Sequence, residues 1–568
     1  MIDAMAKAVQ RLPDDVDALK ALVASRDDII AAKDNHIALL EEKLRLASQK
    51  RFGASSEKVG DDQLGLFNEA EQTVSDATPQ EPADAEGIVV GEHTRKTPGR
   101  KPLPDHLPRT RVEHDIAEAD KMCVCDCRKT KIGEEVSEQL DIIPARIQVL
   151  QHLRFKYACR ACEGTEDDGP TVMTADMPPQ PIPKSNASAG LLAYIVIAKF
   201  LDGLPLYRLE KMFPRIGVIL KRATMAYWMI RCGDLIEPLI AKMHAAQMAH
   251  DIIQMDETTV QVLKEKGRAP QSQSYMWVRR GGPPDKPVIL FDYEPSRGGS
   301  VPARLLQDFY GFLQSDGYDG YNSVTKSHDV IAVGCLAHAR RKFDEALKAQ
   351  QKKGRGGLAK QGFDFIQKIY RVEREARERG LDDDQRKALC DQKARPIWDE
   401  LNQWFDSVRG QAPAKSLTGK ALNYTQAQWS RLIRYLDNGR IEADNNHCEN
   451  AIRPFVLGRK AWLFADTPAG ATASARLYSL IERAKANGLE PYIYLRRVFE
   501  ELPAAIAADD DDAITRLLPW NVAIKSIAYR EQTPGCVLQA CARRREGAVG
   551  AEHAPALRRA RERHDRHR

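Results

Sequence analysis

Three acids in this chain have the residue type and spacing that metal-assisted phosphoryl transfer requires. Asp256 ends an alternating stretch, I-I-Q-M-D, in which apolar Ile253 and Met255 flank Gln254. Asp316 closes F-L-Q-S-D-G-Y, 60 residues further on, and Glu449 lies in D-N-N-H-C-E-N-A-I-R-P-F, another 133 residues away. Carboxylates brought together from separate rigid elements suit two Mg²⁺ ions, or Mn²⁺, which prefer hard oxygen ligands and keep open positions for phosphate and water. Arg453 follows Glu449 by one helical turn on the same face, where it would hold a phosphate, and this pairing favours Glu449 over Asp444. Any one of these acids alone reads as a strand-end or cap carboxylate satisfied by backbone and water. Three in this order read as a site.

A second constellation is sulfur-based. Cys123, Cys125 and Cys127 precede a strand-like stretch, QVLQHLRFKYA, and the C-x-x-C pair Cys159 and Cys162 follows it. Four thiolates can close a tetrahedral Zn²⁺ site that staples a small, core-poor module. Cys123 and Cys127 could both point inward across a tight loop, whereas ligands two apart would strain the knuckle. The expected set is Cys123, Cys127, Cys159 and Cys162, with Cys125 able to replace either of the first two. A ribbon without metal is the alternative, and no thioredoxin-like βαβ context supports a redox pair.

The acids need elements to position them. HDIIQMDETTVQV, SYMWVRRGG and KPVILFDYE read as three consecutive strands, RLLQDFYG as a helix, GFLQSDGY as a fourth strand, and DVIAVGCLAHARRKF as a fifth strand entering a helix. This order is that of an RNase H-like α/β core, in which the first and fourth strands are neighbours and Asp256 and Asp316 sit side by side. The long interval to Glu449 fits a charge-rich helical insertion. D-N-N gives Glu449 a short helix with a cap signal, stopped by Pro454.

Upstream, Val16, Val23, Ile30, Ile37 and Leu44 recur every seven residues, with Leu19, Arg26, Lys33 and Leu40 at the d positions. The readings are a coiled coil or an amphipathic helix packed on its own chain. From Val59 to Thr94 there is no Lys or Arg but nine acids, as in a solvated linker. The charge then reverses in HTRKTPGRKPLP, where Arg95, Lys96, Arg100 and Lys101 form a basic arm able to enter a narrow minor groove or to remain solvated. YRLEKMF, a turn at Pro214 and Gly217, and KRATMAYWMI have a helix-turn-helix shape, with Lys221 and Arg222 opening the second helix.

The chain has 568 residues, enough for about three to five domains. Its 85 Lys+Arg against 80 Asp+Glu leave a net charge of +5, so a nucleic-acid partner must be read from local clusters. No apolar run approaches the ~20 residues of a bilayer span, and the opening residues have no secretory leader, which points to the cytoplasm and no membrane partner. Eleven cysteines in such a chain suggest free thiols and a metal site over a disulfide framework.

RFGASSEK, GRKPLPDHLPR, IGEEVSEQLDIIPARIQV, KYACRAC, LPLYRLEKMF, QMDETTV, SDGYDGYN, CLAHARRKF, DNNHCENAIRPFVLGRKAWLF and YSLIERAKANGLEPYIYL occur in one order, and together they resemble bacterial transposases of the insertion sequence 66 family. The resemblance covers roughly residues 37–521. It implies a DDE transposase with an RNase H-like catalytic core, a zinc-binding module, Mg²⁺-dependent strand cleavage and transfer, and accessory proteins encoded by the same element. By it, Asp256, Asp316 and Glu449 are the catalytic triad. The sequence departs from the family pattern at C-V-C-D-C, at Leu336, where a Trp is usual, and in the tail after Asn521.

The expectation is therefore a multidomain α/β protein. It comprises a helical or coiled-coil segment 1–58, an acidic linker 59–92, a basic arm 93–118, a zinc-ribbon-like module 119–166 and a helix-turn-helix 180–245. The RNase H-like core follows in two parts, 250–344 and 437–465, around a helical insertion 345–436, with a C-terminal helical domain 466–521 and a basic tail 522–568. Its expected partner is DNA, both element ends and target, bound as a homo-oligomer at the nucleoid. Arg340, Arg341, Lys342, Arg453, Arg459 and Lys460 are the expected phosphate contacts near the acids. A catalytically inactive DNA-binding regulator and a structure-selective nuclease are the alternative functions.

Overall fold

The computed structural model describes residues 15–52, 147–158, 172–283, 286–326, 329–349 and 357–522, with a two-residue strand pair at Val89–Val90 and His93–Thr94. The chain divides into one compact unit of residues 1–76 and 145–522 and another of 77–144 and 523–568. The five cysteines of the ribbon-like module, the arm residues Arg95, Lys96, Arg100 and Lys101, and the tail lie outside the described residues.

Helix α1, Val16–Phe52, carries the heptads. Val16, Val23, Ile30, Ile37 and Leu44 are 53 to 73% exposed, so at these positions the apolar seam is not packed on its own chain.

The larger unit is built on a six-stranded mixed sheet. Strands β1, Ile252–Val262, β2, Gln273–Gly281, and β3, Val288–Glu294, form an antiparallel meander. Strands β4, Gly311–Gln314, and β5, Val330–Val333, then add in parallel on the other side of β1, giving the order β3-β2-β1-β4-β5. A short β6, Phe464–Ala465, pairs in parallel with the far end of β1. β1 runs six residues past Asp256, because T-T-V-Q-V continues the strand pattern and buries Val260 and Val262. Asp256 is thus mid-strand, not at a strand end.

The connection to β4 also differs from expectation. Its helix spans Ser300–Leu305, earlier than RLLQDFYG, and Leu306 and Phe309 enter the core from the following turn, which takes a positive φ at Asp308. On that face of the sheet Ile253, Met255, Trp277 and Leu313 pack with Val301, Leu305, Tyr321 and Val324.

The opposite face is covered by α9, Asn446–Trp462, and α10, Pro468–Ala486, which come after a run of earlier helices. These are α2, Ala189–Phe200, α3, Leu206–Met212, α4, Arg222–Leu235, α5, Glu237–Met248, α6, Leu336–Lys348, α7, Leu358–Glu378, and α8, Leu417–Ala427. After α10 comes α11, Pro491–Ala507. Phe291 of β3, Phe455 of α9 and Tyr478 of α10 meet with ring centroids 5.4 to 6.5 Å apart.

α9 does not stop at Pro454, which lies inside it. A proline there removes one backbone hydrogen bond and crowds the carbonyl of the preceding turn. The helix continues because Cys448, Ala451, Ile452, Phe455 and Gly458 form one buried stripe, and ending at Pro454 would expose its second half.

Between α6 and α9 lies the helical insertion, with a core of its own around Ile366, Ile369, Trp398, Leu401 and Phe405 that continues into Phe343 and Leu336 of α6. α3 and α4 are joined through a 3-10 turn, Phe213–Ile216, that ends at Gly217 with φ +86°. Lys221 and Arg222 are exposed at the start of α4, where the Glu210 carboxylate accepts from the Arg222 N–H at 3.0 Å. α4 also packs on α10 so closely that a Cβ on Gly233 would lie 2.7 Å from Ala473. Among the described residues no helix is long and apolar enough to cross a membrane.

Candidate active site

The geometry of the acids follows from strand register. Ile252, Ile253 and Gln254 of β1 pair with Phe312, Leu313 and Gln314 of β4. β4 ends at Gln314, so Asp316 does not close the strand as expected but lies two residues beyond it, near enough for its charge to act on Asp256. Asp256 pairs with Val278 across β2, so it shares the sheet face on which α9 lies, whereas Glu257 pairs with Trp277 and faces the other way. Glu449 sits in the first turn of α9, where the helix N-terminus favours negative charge.

Asp256 feels the charges of the other two acids. Burial raises the Asp256 carboxyl well above its ordinary range, and the charges of Glu257, Glu449 and Asp316 raise it further. Glu257 is already occupied. Its side chain is 1% exposed, pairs with Arg297 at 2.6 Å and accepts from the Tyr321 hydroxyl at 2.5 Å. Asp444 is spent on α9 itself, accepting from the Asn446 N–H at 3.1 Å and the Asn446 amide at 2.9 Å.

A buried polar lattice under the acids was not anticipated from sequence. Gln254 donates to the Gln314 side-chain oxygen at 2.8 Å, and Gln314 donates to the backbone oxygens of Glu442 at 2.8 Å and Gly334 at 3.2 Å. Asn445 donates to the Met255 carbonyl at 3.1 Å, and its N–H meets the Cys335 sulfur at 3.2 Å. β1, β4, the start of α6 and the lead-in to α9 are thereby fixed to one another. The available signal was a polar residue at a sequence position flanked by core residues, as Gln254 is between Ile253 and Met255.

The expected phosphate contacts separate into groups. Arg341 lies 3.3 Å from Glu449 Oε2 and is half exposed. Lys342 lies over the ring of Tyr424 at 4.7 Å, and the Tyr424 hydroxyl donates to the Asp316 carbonyl at 2.7 Å, so the insertion reaches the site. Arg340 instead faces Phe363 and Tyr370 of α7. Arg459 donates from Nη1 to the hydroxyls of Thr258 at 3.2 Å and Thr259 at 2.8 Å, tying α9 to β1. Arg453 is partly exposed and Lys460 exposed, both on α9. Sequence reasoning did not single out His338, whose Nδ1 is 3.6 Å from Glu449 Oε1.

A cluster of acids in which burial and neighbouring negative charge raise one carboxyl is a fitting bed for divalent cations, since a cation offsets both penalties.

The family described as Transposase IS66 family matches residues 184–473, a span that holds the three acids and the insertion. Matches flank it to the zinc-finger binding domain of transposase IS66 at 120–163, to the IS66 C-terminal element at 479–520, and to a family described as Transposase C of IS166 homeodomain at 39–112. Among curated proteins, the uncharacterized protein y4qI of Sinorhizobium fredii is 30% identical over 557 residues, covering 91% of this chain and 99% of its own length. The uncharacterized protein y4jD of the same organism is 32% identical over 432 residues, covering 74% of this chain and 81% of its own. On the central match and its flanking companions, this chain belongs to the IS66 family of insertion-sequence transposases.

Proposed function

We propose that this chain is a DDE-type DNA transposase that binds the terminal inverted repeats of its element, cuts at the ends and joins them to target DNA. The observation that carries this reading is the convergence of Asp256, Asp316 and Glu449 from β1, the turn after β4 and α9. The strand order β3-β2-β1-β4-β5, antiparallel in its first three strands and parallel beyond, supports an RNase H-like core.

In this reading the carboxylates of Asp256, Asp316 and Glu449 hold the cations and the lattice below keeps them in place. Two Mg²⁺ ions, or Mn²⁺, supply neutralisation of the phosphate charge and an activated water when bound. Arg341 and Arg453, one on each helix beside the acids, steady the phosphate for in-line attack. Water attacks the phosphorus at the element end and frees a 3′-hydroxyl. That hydroxyl then attacks a target phosphorus and displaces a target 3′-hydroxyl, so one phosphodiester is made for each one broken. Lys221 and Arg222 on α4 and the basic arm Arg95, Lys96, Arg100 and Lys101 bind the ends. The heptads of α1 pair two copies, and the zinc-ribbon-like module that follows the arm in sequence has Cys123, Cys127, Cys159 and Cys162 as ligands. The DNA substrate places the enzyme at the bacterial nucleoid, with accessory proteins of the same element as further partners.

The test is incubation of the full chain with labelled element ends and a supercoiled target in Mg²⁺. End-nicked and joined products support the reading. Binding without any product would favour an inactive regulator, and cutting of branched DNA without joining would favour a structure-selective nuclease.

A further inference from the structure

Beside the acids lies a donor set of different chemistry. Cys335 is the N-cap residue of α6 and His338 lies in its first turn, so the C-x-x-H spacing turns both toward α9. Cys335 Sγ is 4.0 Å from Glu449 Oε1, His338 Nδ1 is 3.6 Å from the same oxygen, and the three ligand atoms lie within 4.8 Å of one another. We propose that Cys335, His338 and Glu449 are the ligands of a transition-metal ion of the zinc class, at a site that shares Glu449 with the carboxylate cluster of the proposed function and adds sulfur and nitrogen donors to it.

Donor type and geometry both support this. A sulfur, an imidazole nitrogen and one carboxylate oxygen suit zinc and its neighbours and are poor company for Mg²⁺. Zinc bonds of about 2.0 to 2.3 Å in a tetrahedron put donors roughly 3.3 to 3.8 Å apart, so the present separations need only a small closure. An independent observation points the same way: His338 Nδ1 is buried with no hydrogen-bond partner. Such an orphaned ring nitrogen is costly unless something fills it. Glu449 divides its two oxygens, with Oε1 turned to Cys335 and His338 and Oε2 toward Arg341, so Oε1 can serve this ion while Oε2 is left to the cations of the acid cluster. The Cys335 sulfur already accepts from the Asn445 N–H at 3.2 Å, an interaction that supports a thiolate in a metal site. Binding would release the Cys335 thiol proton to solvent, keep the imidazole neutral and leave a fourth position for water. The ion would staple α6 to α9, joining the segments that lead from β5 and into Glu449.

Zinc content of the untagged full chain, measured by mass spectrometry after equilibration with zinc and a weak-chelator wash, tests the site. Wild type is expected to hold one zinc per chain more than Cys335→Ser or His338→Gln, whatever the upstream cysteines bind, because those are unchanged in all three. The zinc X-ray absorption edge of wild type is expected to show imidazole scattering alongside sulfur. This second reading decides the matter if a variant loses its cooperative melt. Equal zinc in wild type and folded variants, or a zinc shell without imidazole, overturns the proposal.

Discussion

Gln254 and Gln314 face each other across two parallel strands, joined by a side-chain hydrogen bond of 2.8 Å, and each precedes an acid of the candidate site by two residues. Fixing this pair holds Asp256, two residues further along β1, beside the start of the turn after β4 that carries Asp316. The register of a buried amide pair thus carries the geometry of the site.

Gln254→Leu should therefore cost more than its own burial suggests. It leaves Gln314 Oε1 buried without that partner, a penalty of about 1–3 kcal/mol. Thermal melts should show the loss, and cleavage should fall while binding of element ends is retained. A variant with wild-type stability and activity would remove the lattice from the account.

Asp256 supplies a pH prediction. Its carboxyl is raised by burial and by three neighbouring acids, so the folded chain keeps this proton to higher pH than the unfolded chain does. The stabilisation is present below the ordinary carboxylate range and is lost as pH rises through the elevated folded value. In metal-free protein Asp256→Asn should consequently melt above wild type at neutral pH, with about 2–4 °C for each kcal/mol of repulsion relieved. The gap should close in acid. Divalent cations should raise the melting temperature of wild type and not of the variant.

Much of this was legible beforehand, and for physical reasons. The five main strands are marked by alternation, and their order placed β1 beside β4. Pro454 misled because its local cost is visible in sequence while the buried stripe of α9 that outweighs it is not. The Gln254–Gln314 lattice was hidden because a glutamine in a strand looks solvent-facing until the opposite face is known to be covered. His338 was passed over because its neighbour Glu449 is 111 residues away in the chain.

End binding should weaken with salt, because the basic side chains release counterions from the phosphates they neutralise. Replacing Lys221 and Arg222 with alanine in the full chain should reduce the slope of log affinity against log salt by about 0.9 for each phosphate no longer neutralised. The full chain is needed because α4 packs on α10, and a fragment ending near residue 245 would expose that face. An unchanged slope would take α4 out of the DNA interface.

The exposed heptad seam of α1 predicts self-association. Light scattering should give a multiple of the 63.7 kDa chain mass for wild type. Ile30→Lys with Ile37→Lys should reduce it to a single chain, since charges at two a positions cannot be buried in the seam. A wild-type monomer at micromolar concentration would contradict this assignment.

The most direct test of the central claim is Mg²⁺-dependent cleavage of labelled element ends by wild type, Asp256→Asn and Glu449→Gln, with end binding measured on the same preparations. The account predicts cleavage by wild type alone, with both variants reduced at least about 10³-fold, as expected when a cation ligand is removed, and with binding within about two-fold of wild type. Full cleavage by either variant would contradict it.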